Sequence, residues 1–438
     1  MRTVLTNTFI AVLLFCLPQN TNAQQLYFPP LIGNTWDTVT PASLGWCTNY
    51  IDTLNDYLQS TNTKAFIILK DGKIAHEKYF GTFTVDSLWY WASAGKSLTS
   101  VLIGIARQKG VLSLSDTVST YLGKGWTSCT QSQEDKITIW NQITMTTGLD
   151  DGVPDKDCTD DTCLMYAADA GTRWAYHNAP YTLTHAVLEN ATGVTTNSFT
   201  TNELSLKTGI SGLWFPSGYN EIFASKARSA ARFGLLMLNK GVWKNDSIIT
   251  DTNYYNSMVN TSQNINKSYG YLWWLNGKSS FMAPGFQTQF PGPLVPAAPA
   301  DMFCALGKND QKVYVVPSQN LVVIRLGDAS GSPQLAISGF DNVVWLKLNQ
   351  LMCSSTSMAE TDKANLILTP NPVNDVLFLN GLNSEATVTV YDNLLRKQFE
   401  RNIISGQSID VSALPIGIYF IKIKTKFSVT SHKVIVAR

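Results

Sequence analysis

Ala65–Phe80 reads AFIILKDGKIAHEKYF. Two apolar, β-prone runs flank Asp71–Gly72, a dipeptide that accepts the positive φ angles of a tight hairpin turn. A hairpin needs a sheet to join, and its partners lie far along the chain. MFCALG (Met302–Gly307), KVYVVP (Lys312–Pro317) and NLVVIRLG (Asn320–Gly327) are three further short strands with tight connections. Between the two strand groups the sequence is mostly helical pattern and loop, and Leu335–Met352 is an apolar-rich helix that closes the domain. A sheet assembled from both ends of a domain around a mostly helical insertion predicts an α/β fold, with an antiparallel sheet flanked by helices.

Both ends of the chain differ from this domain. Arg2 precedes the apolar run FIAVLLFCL (Phe9–Leu17), and Pro18 and Thr21–Asn22–Ala23 follow before Gln24. A charged start, an apolar stretch too short to span a bilayer and a small-residue site read as a signal peptide over residues 1–23. No later segment has the length and uniform apolarity of a membrane helix. The protein is therefore expected to be exported, with its first domain over 24–353. Ser354–Asp362 (SSTSMAETD) is small and polar, and reads as a linker. Residues 363–438 hold short alternating runs, LILTPNPV, VLFLNGL, ATVTVYD, GIYFIKIK and SHKVIVAR, the pattern of a small β-sandwich.

Export sets the redox environment. Of seven cysteines, Cys16 leaves with the leader and six enter an oxidising compartment. Cys158 and Cys163 bracket a short acidic loop and form one expected pair. If the first hairpin pairs antiparallel with the last strand, the flanking helices also run antiparallel, which places Cys47 near Cys353 as a second pair. Nothing in the spacing pairs Cys129 or Cys304, and Cys304 reads as a buried thiol in an apolar strand. A formal net charge of +1 does not suggest a nucleic-acid or membrane-surface partner.

The chain contains one Ser-x-x-Lys, Ser93 to Lys96, within YWASAGKSLTS (Tyr90–Ser100). Leu98, Val101, Leu102 and Ile105 repeat at helical spacing and Gly110 ends the run. Lys96 thus falls in the first turn of a half-buried helix, on one face with Ser93. Burial favours the neutral amine, which can take the hydroxyl proton, and a helix N-terminus favours negative charge forming at the serine. An N-cap serine followed by a surface lysine fits the same letters. RWAYHNAPY (Arg173–Tyr181) adds Tyr176, a phenol able to relay a proton, and Asn178, an amide able to hold a substrate carbonyl. A purely structural Tyr-x-Asn is the ordinary alternative.

Taken together, these residues and their surroundings resemble the serine hydrolases of the β-lactamase and penicillin-binding-protein superfamily, most nearly the class C-like esterases and 6-aminohexanoate-dimer hydrolases. DSLWYWASAGKSLTSVLIGIARQKGVLSLSDTV, ITIWNQITMTTGLDDG, ARFGLLMLNKGVW, SYGYLWWL and FCALGKNDQKVYVVPSQNLVVIRLG occur in family order from about Phe66 to Leu326. The resemblance implies Ser93 as nucleophile, Lys96 as its base, Tyr176 as proton shuttle and Asn178 as a substrate contact. The family's Lys-Thr-Gly motif is spelled at Lys207–Thr208–Gly209, but there it reads as a helix end in the insertion. The position that fits is Ala305–Leu306–Gly307, on the strand after SYGYLWWL. Gly307 would allow close backbone approach, and the Lys308 N–H would join that of Ser93 in an oxyanion hole. Ala305 leaves no cation there for a substrate carboxylate, although Lys308 is near enough in sequence to compensate, so the balance favours an esterase or amidase, with a β-lactamase or D-alanyl-D-alanine carboxypeptidase as the alternative. A non-enzymatic binder has no need of an intact Ser, Lys, Tyr and Asn set. Asp310 departs from the glycine that many relatives have before the Gln311 position.

The tail has its own resemblance. Pro370–Asn371–Pro372, Val390–Tyr391–Asp392, LPIGIYFIK (Leu414–Lys422) and Lys433–Val434–Ile435 look like the C-terminal sorting domain of type IX secretion cargo. The type IX machinery is then the implied partner, and secretion or the cell surface the implied destination. A carbohydrate-binding or spacer β-domain has the same composition.

Other chemistries find less support. There is no Gly-x-Ser-x-Gly elbow for a histidine-based α/β-hydrolase. His76, His177, His185 and His432 are scattered without zinc spacing, and His177 reads as structural. The acidic loop Asp150–Asp161 lacks an EF-hand pattern and reads as a solvated rim. Tyr90, Trp91, Trp174, Trp214 and Trp274 either line the site or pack the core. The expected substrate is a small ester, amide or peptide-like molecule, and no metal or organic cofactor is needed.

Overall fold

The computed structural model describes residues 26–331, 337–354 and, in the tail, 367–437 apart from 381, 383–384, 393–395, 405 and 426–428. The expected signal peptide, and all of the expected linker but Ser354, lie outside the described residues. The chain forms two compact units, Met1–Ser354 and Ser355–Arg438.

In the first unit, helix α1 (Ile51–Ser60) leads into strands β1 (Thr63–Lys70) and β2 (Lys73–Tyr79). Asp71 and Gly72 make the turn at φ 52° and 82°, the mirror-image geometry that follows the twist of the strands. A Cβ at Gly72 would lie 2.0 Å from the Tyr27 carbonyl oxygen. Helix α2 (Gly95–Gln108) follows, then α3 (Asn178–Thr192) and α4 (Ala227–Leu238). The chain returns to the sheet through β3 (Trp274–Leu275), β4 (Phe303–Gly307), β5 (Gln311–Val316) and β6 (Leu321–Gly327), and ends in α5 (Gly339–Leu351). The strand order is β2-β1-β6-β5-β4-β3, antiparallel throughout, with Ile67 opposite Ile324 and Tyr314 opposite Val323. Strands β4, β5 and β6 are buried along their whole length, so they read as continuous apolar runs rather than alternating ones.

The two helices flanking the ends of the unit run antiparallel. Tyr57 near the end of α1 stacks on Phe340 near the start of α5, with ring centroids 5.7 Å apart. At the other end Cys47 and Cys353 form a disulfide. Cys158 and Cys163 form a second, and Cys129 and Cys304 are free thiols, Cys304 fully buried in β4.

The turn from β4 to β5 rests on buried charge. Asn309 and Asp310 both take left-handed conformations, at φ 61° and 59°. Asp310 is buried and accepts hydrogen bonds from the Ser330 and Ser338 hydroxyls. Lys312, also buried, lies 3.1 Å from Asp310 and 3.0 Å from Asp341. Burial alone would raise the Asp310 carboxyl, yet Lys312 and the two hydroxyls hold it below the usual carboxylate range. Arg325 spends all five of its N–H groups nearby, on the carbonyls of Asn309, Asp310, Thr61 and Asp328 and on the Thr63 hydroxyl. Asp310 is thus a fixed anchor of the turn. Replacing Lys312 with Met strands two buried carboxylates and is expected to destabilise the first unit by roughly 3–5 kcal/mol. Urea unfolding followed by tryptophan fluorescence checks this.

The second unit consists of two sheets. Strands β7 (Ile367–Thr369), β8 (Val376–Asn380) and β11 (Ser408–Asp410) form one; β9 (Ala386–Tyr391), β10 (Lys397–Ile403), β12 (Gly417–Thr425) and β13 (Val429–Val436) form the other. Val388, Val390, Ile421, Ile423, Leu377 and Ile409 share one apolar core. Tyr419, Ile421 and Ile423 point inward while Ile418, Phe420, Lys422 and Lys424 point outward, the period-two pattern of a sandwich strand. Asn371 fastens the start of the unit to its last strand through the Lys433 carbonyl and the Ile435 N–H.

Candidate active site

Ser93 occupies a single 3-10 turn, Ala92–Ala94, that runs straight into α2. Ala92 enters it at φ 47°. The N-cap of α2 is Ala94, without a side-chain cap, so Ser93 is not a capping serine. Lys96 is not a surface lysine either. It is 5% exposed, and its Nζ lies 3.4 Å from Ser93 Oγ. Aromatic rings replace its water, with the Tyr181 centroid 4.0 Å from Nζ and the Tyr176 centroid 5.5 Å away. Burial pulls the ammonium down to about 7, and the charge of Asp157 opposes this.

Tyr176 also reaches Ser93. It is buried and stacks on Trp274 at 5.6 Å, with Trp174 and Tyr269 edge-on or tilted around it. Burial raises its phenol well above the usual range, a shift that a side-chain hydrogen bond with Ser93 partly offsets. At neutral pH the phenol therefore stays protonated. His177 is buried with neither ring nitrogen hydrogen-bonded, and burial lowers it to about 4.

Asn178 opens α3 and donates from Nδ2 to Asp157 Oδ1 at 2.7 Å, while its Oδ1 is buried without a partner. The acidic loop is a solvated rim at Asp155, Asp160 and Asp161, which are exposed, while Asp157 turns inward. The loop is stitched to the site, with the Ala179 N–H on the Lys156 carbonyl, Arg173 paired with Asp151, and Tyr219 on Asp160. Among the described residues, no three His, Cys, Asp or Glu side chains converge as metal ligands would.

The fourth wall is β4. Ala305 is buried in that strand. A Cβ on Gly307 would lie 2.3 Å from the Trp91 carbonyl oxygen and 3.0 Å from the Ala94 nitrogen, so only glycine lets the strand end lie against the Ser93 turn. Lys308 follows with its side chain exposed, and Asn309 donates to the Tyr90 hydroxyl at 2.8 Å. Lys207–Thr208–Gly209 lies elsewhere. Lys207 and Thr208 end a short helix that Gly209 closes at φ 71°, and Lys207 pairs with Glu203. Trp91, Trp174, Trp214 and Trp274 are buried among other rings, and Tyr90 is half-buried.

Against known proteins, residues 53–343 match the Beta-lactamase family model. The chain belongs to the beta-lactamase family. Residues 368–437 match the secretion system C-terminal sorting domain, and the tail is one. Solved structures agree on the fold of this beta-lactamase-family protein. A Bacteroides dorei protein provisionally assigned as a beta-lactamase superposes with a TM-score of 0.56 at 15% identity, over 70% of this chain and 99% of that one. A Bacillus anthracis protein provisionally assigned as a 6-aminohexanoate-dimer hydrolase gives 0.54 at 16%, over 74% and 88%. A penicillin-binding-protein homologue from Caulobacter crescentus gives 0.52 at 12%, over 70% and 98%. No curated protein matches the chain.

Sequence reasoning missed Tyr181 and Asp157. Tyr181 closes the RWAYHNAPY stretch, three residues past Asn178 and so on the same helical face. Asp157 sits beside Cys158, whose bridge to Cys163 was the available signal that this loop is held in place.

The Lys96 environment makes a stability prediction that needs no substrate. The unfolded lysine keeps its proton up to 10.5, the folded one only up to about 7. Unfolding therefore takes up a proton in that window, and stability rises with pH across it. Lys96→Met should raise the thermal midpoint most at pH 6, with the gain shrinking from about 7 upward; calorimetry across pH reads it.

Proposed function

We propose that the first unit is a serine hydrolase that cleaves an ester or amide bond through an acyl-enzyme on Ser93. The observation that supports this most is a water-shielded lysine, tuned to about 7, beside a serine hydroxyl. A base with a pKa near the working pH is the efficient choice for proton transfer. In the first step the neutral Lys96 takes the Ser93 proton as Oγ bonds to the substrate carbonyl carbon. Tyr176 passes a proton to the leaving group as its bond to that carbon breaks. Water then attacks the acyl carbon and gives a proton to the Tyr176 oxygen, the bond to Oγ breaks, and Lys96 returns its proton to Ser93. The N–H groups of Ser93 and Lys308 serve as oxyanion donors, with Gly307 allowing the approach, and Asn178 contacts the substrate. Losing one such donor costs roughly 3 kcal/mol of transition-state stabilisation.

The absence of a cation at Ala305 favours an ester or amide without a neighbouring carboxylate. The fold likeness to the Bacillus anthracis protein named for 6-aminohexanoate dimers is compatible with that class. The sorting domain supports export through the type IX machinery to the medium or the cell surface, which would put the hydrolase where small external esters and amides are met.

Hydrolysis of p-nitrophenyl acetate tests the proposal. Ser93→Ala should fall to background, and Lys207→Ala should stay within about twofold of the parent protein. Retained turnover in Ser93→Ala sinks the mechanism, and faster turnover of a cephalosporin than of the ester moves the assignment to a β-lactamase. The acidic limb of kcat/KM should rise with pH through an apparent pKa near 7, as Lys96 loses its proton.

A further inference from the structure

Asn178 can turn either end of its amide toward a neighbour, and the two ends do opposite chemistry. A carboxylate only accepts hydrogen bonds, so a carboxylate beside the amide selects the NH2 end for itself. Asp157 does this at 2.7 Å, and Asn178 Oδ1 is left buried and unpaired. An unmet acceptor at such a place weakens the folded state until a donor arrives. The same carboxylate acts on Lys96. The other titratable groups around that amine are neutral near pH 7. Burial keeps the phenols of Tyr176 and Tyr181 protonated, and burial followed by Lys96 itself lowers His185 to about 3.

We propose that Asp157 is a positioning residue of the acyl-transfer site: it fixes Asn178 with its amide oxygen free and sets a negative charge near Lys96. The inference rests on the serine-hydrolase reading above. Its geometry is over-determined. Cys158, the next residue, is bridged to Cys163, and the Lys156 carbonyl on the other side accepts from the Ala179 N–H at the start of α3. The remaining acids of the loop have other surroundings. Asp151 pairs with Arg173, Asp160 accepts from Tyr219, Asp150 accepts from the Gly152 N–H, Asp155 accepts from the Asp157 N–H, and Asp161 accepts from the Thr162 N–H. With Nδ2 held by Asp157, the free acceptor suits a substrate that presents an N–H, as an amide does, or the ammonium form of Lys96.

Two variants separate the charge from the hydrogen bond. Asp157→Asn can still accept from Asn178 but has no charge. Its acidic limb in kcat/KM for p-nitrophenyl acetate should move to lower pH by about half a unit to one unit, because Lys96 loses the charge that opposes its deprotonation. Asp157→Ala loses the hydrogen bond as well, and should show the same displacement, with a roughly tenfold lower plateau kcat/KM for p-nitroacetanilide, whose N–H can meet the freed acceptor. If Asp157→Asn does not fold, Asp157→Glu keeps the charge, and its limb should stay near the parent value while the plateau falls. A folded Asp157→Asn whose limb stays at the parent pH, or whose activity falls equally at all pH values, overturns the assignment of Asp157 alone. Activity retained in Ser93→Ala overturns the parent reading and this inference with it.

Discussion

No side chain fits at Gly307. Its missing Cβ lets the end of a buried sheet strand press against the Trp91 carbonyl and the Ala94 nitrogen, and so against the short turn that presents Ser93. Everything else around the site respects that contact. The two left-handed residues after Lys308 turn the chain back immediately, and the buried Asp310, Lys312, Asp341 and Arg325 hold the turn from below. Buried ions of this kind add little net stability but penalise any arrangement that unpairs them. The cluster therefore acts to keep one geometry, with the strand end against the Ser93 turn.

The second constraint is electrostatic. Burying Lys96 among Tyr176, Tyr181 and the first turn of α2 weakens the folded state, since a charged amine loses its hydration. An amine poised near neutrality, facing a hydroxyl and overlooked by a protonated phenol, is the chemical return for that penalty. Asp157, next to the Cys158–Cys163 bridge, opposes the effect. Stability is spent at one point of the first unit and supported by the sheet and its flanking helices elsewhere.

Much of this was legible in the sequence, for specific reasons. Asp71–Gly72 between apolar runs has one low-energy solution, and the late strands are too apolar to sit anywhere but the middle of a sheet. The Cys47–Cys353 bridge followed from antiparallel end helices, and the rejection of Lys207–Thr208–Gly209 from its place in a helical insertion. What escaped was long-range polar geometry. Asp157 looks like any solvated acid until a fold brings it to Asn178, and Asp310 looks like a turn residue until Lys312 and Ser338 close over it. Burial of Lys96 was inferable from the helix periodicity; the rings that bury it, Tyr176 just before α3 and Tyr181 within it, lie about eighty residues later.

The central claim is a covalent bond to one oxygen atom. Mixing the purified protein with p-nitrophenyl acetate, quenching in acid within the first turnovers and mapping peptides by mass spectrometry tests it most directly. An acetyl group on the peptide that contains Ser93, building up before steady state and absent from Ser93→Ala, is the predicted result. Sustained ester turnover with Ser93 unmodified at every quench time, or with the acetyl group on another side chain, would contradict the account.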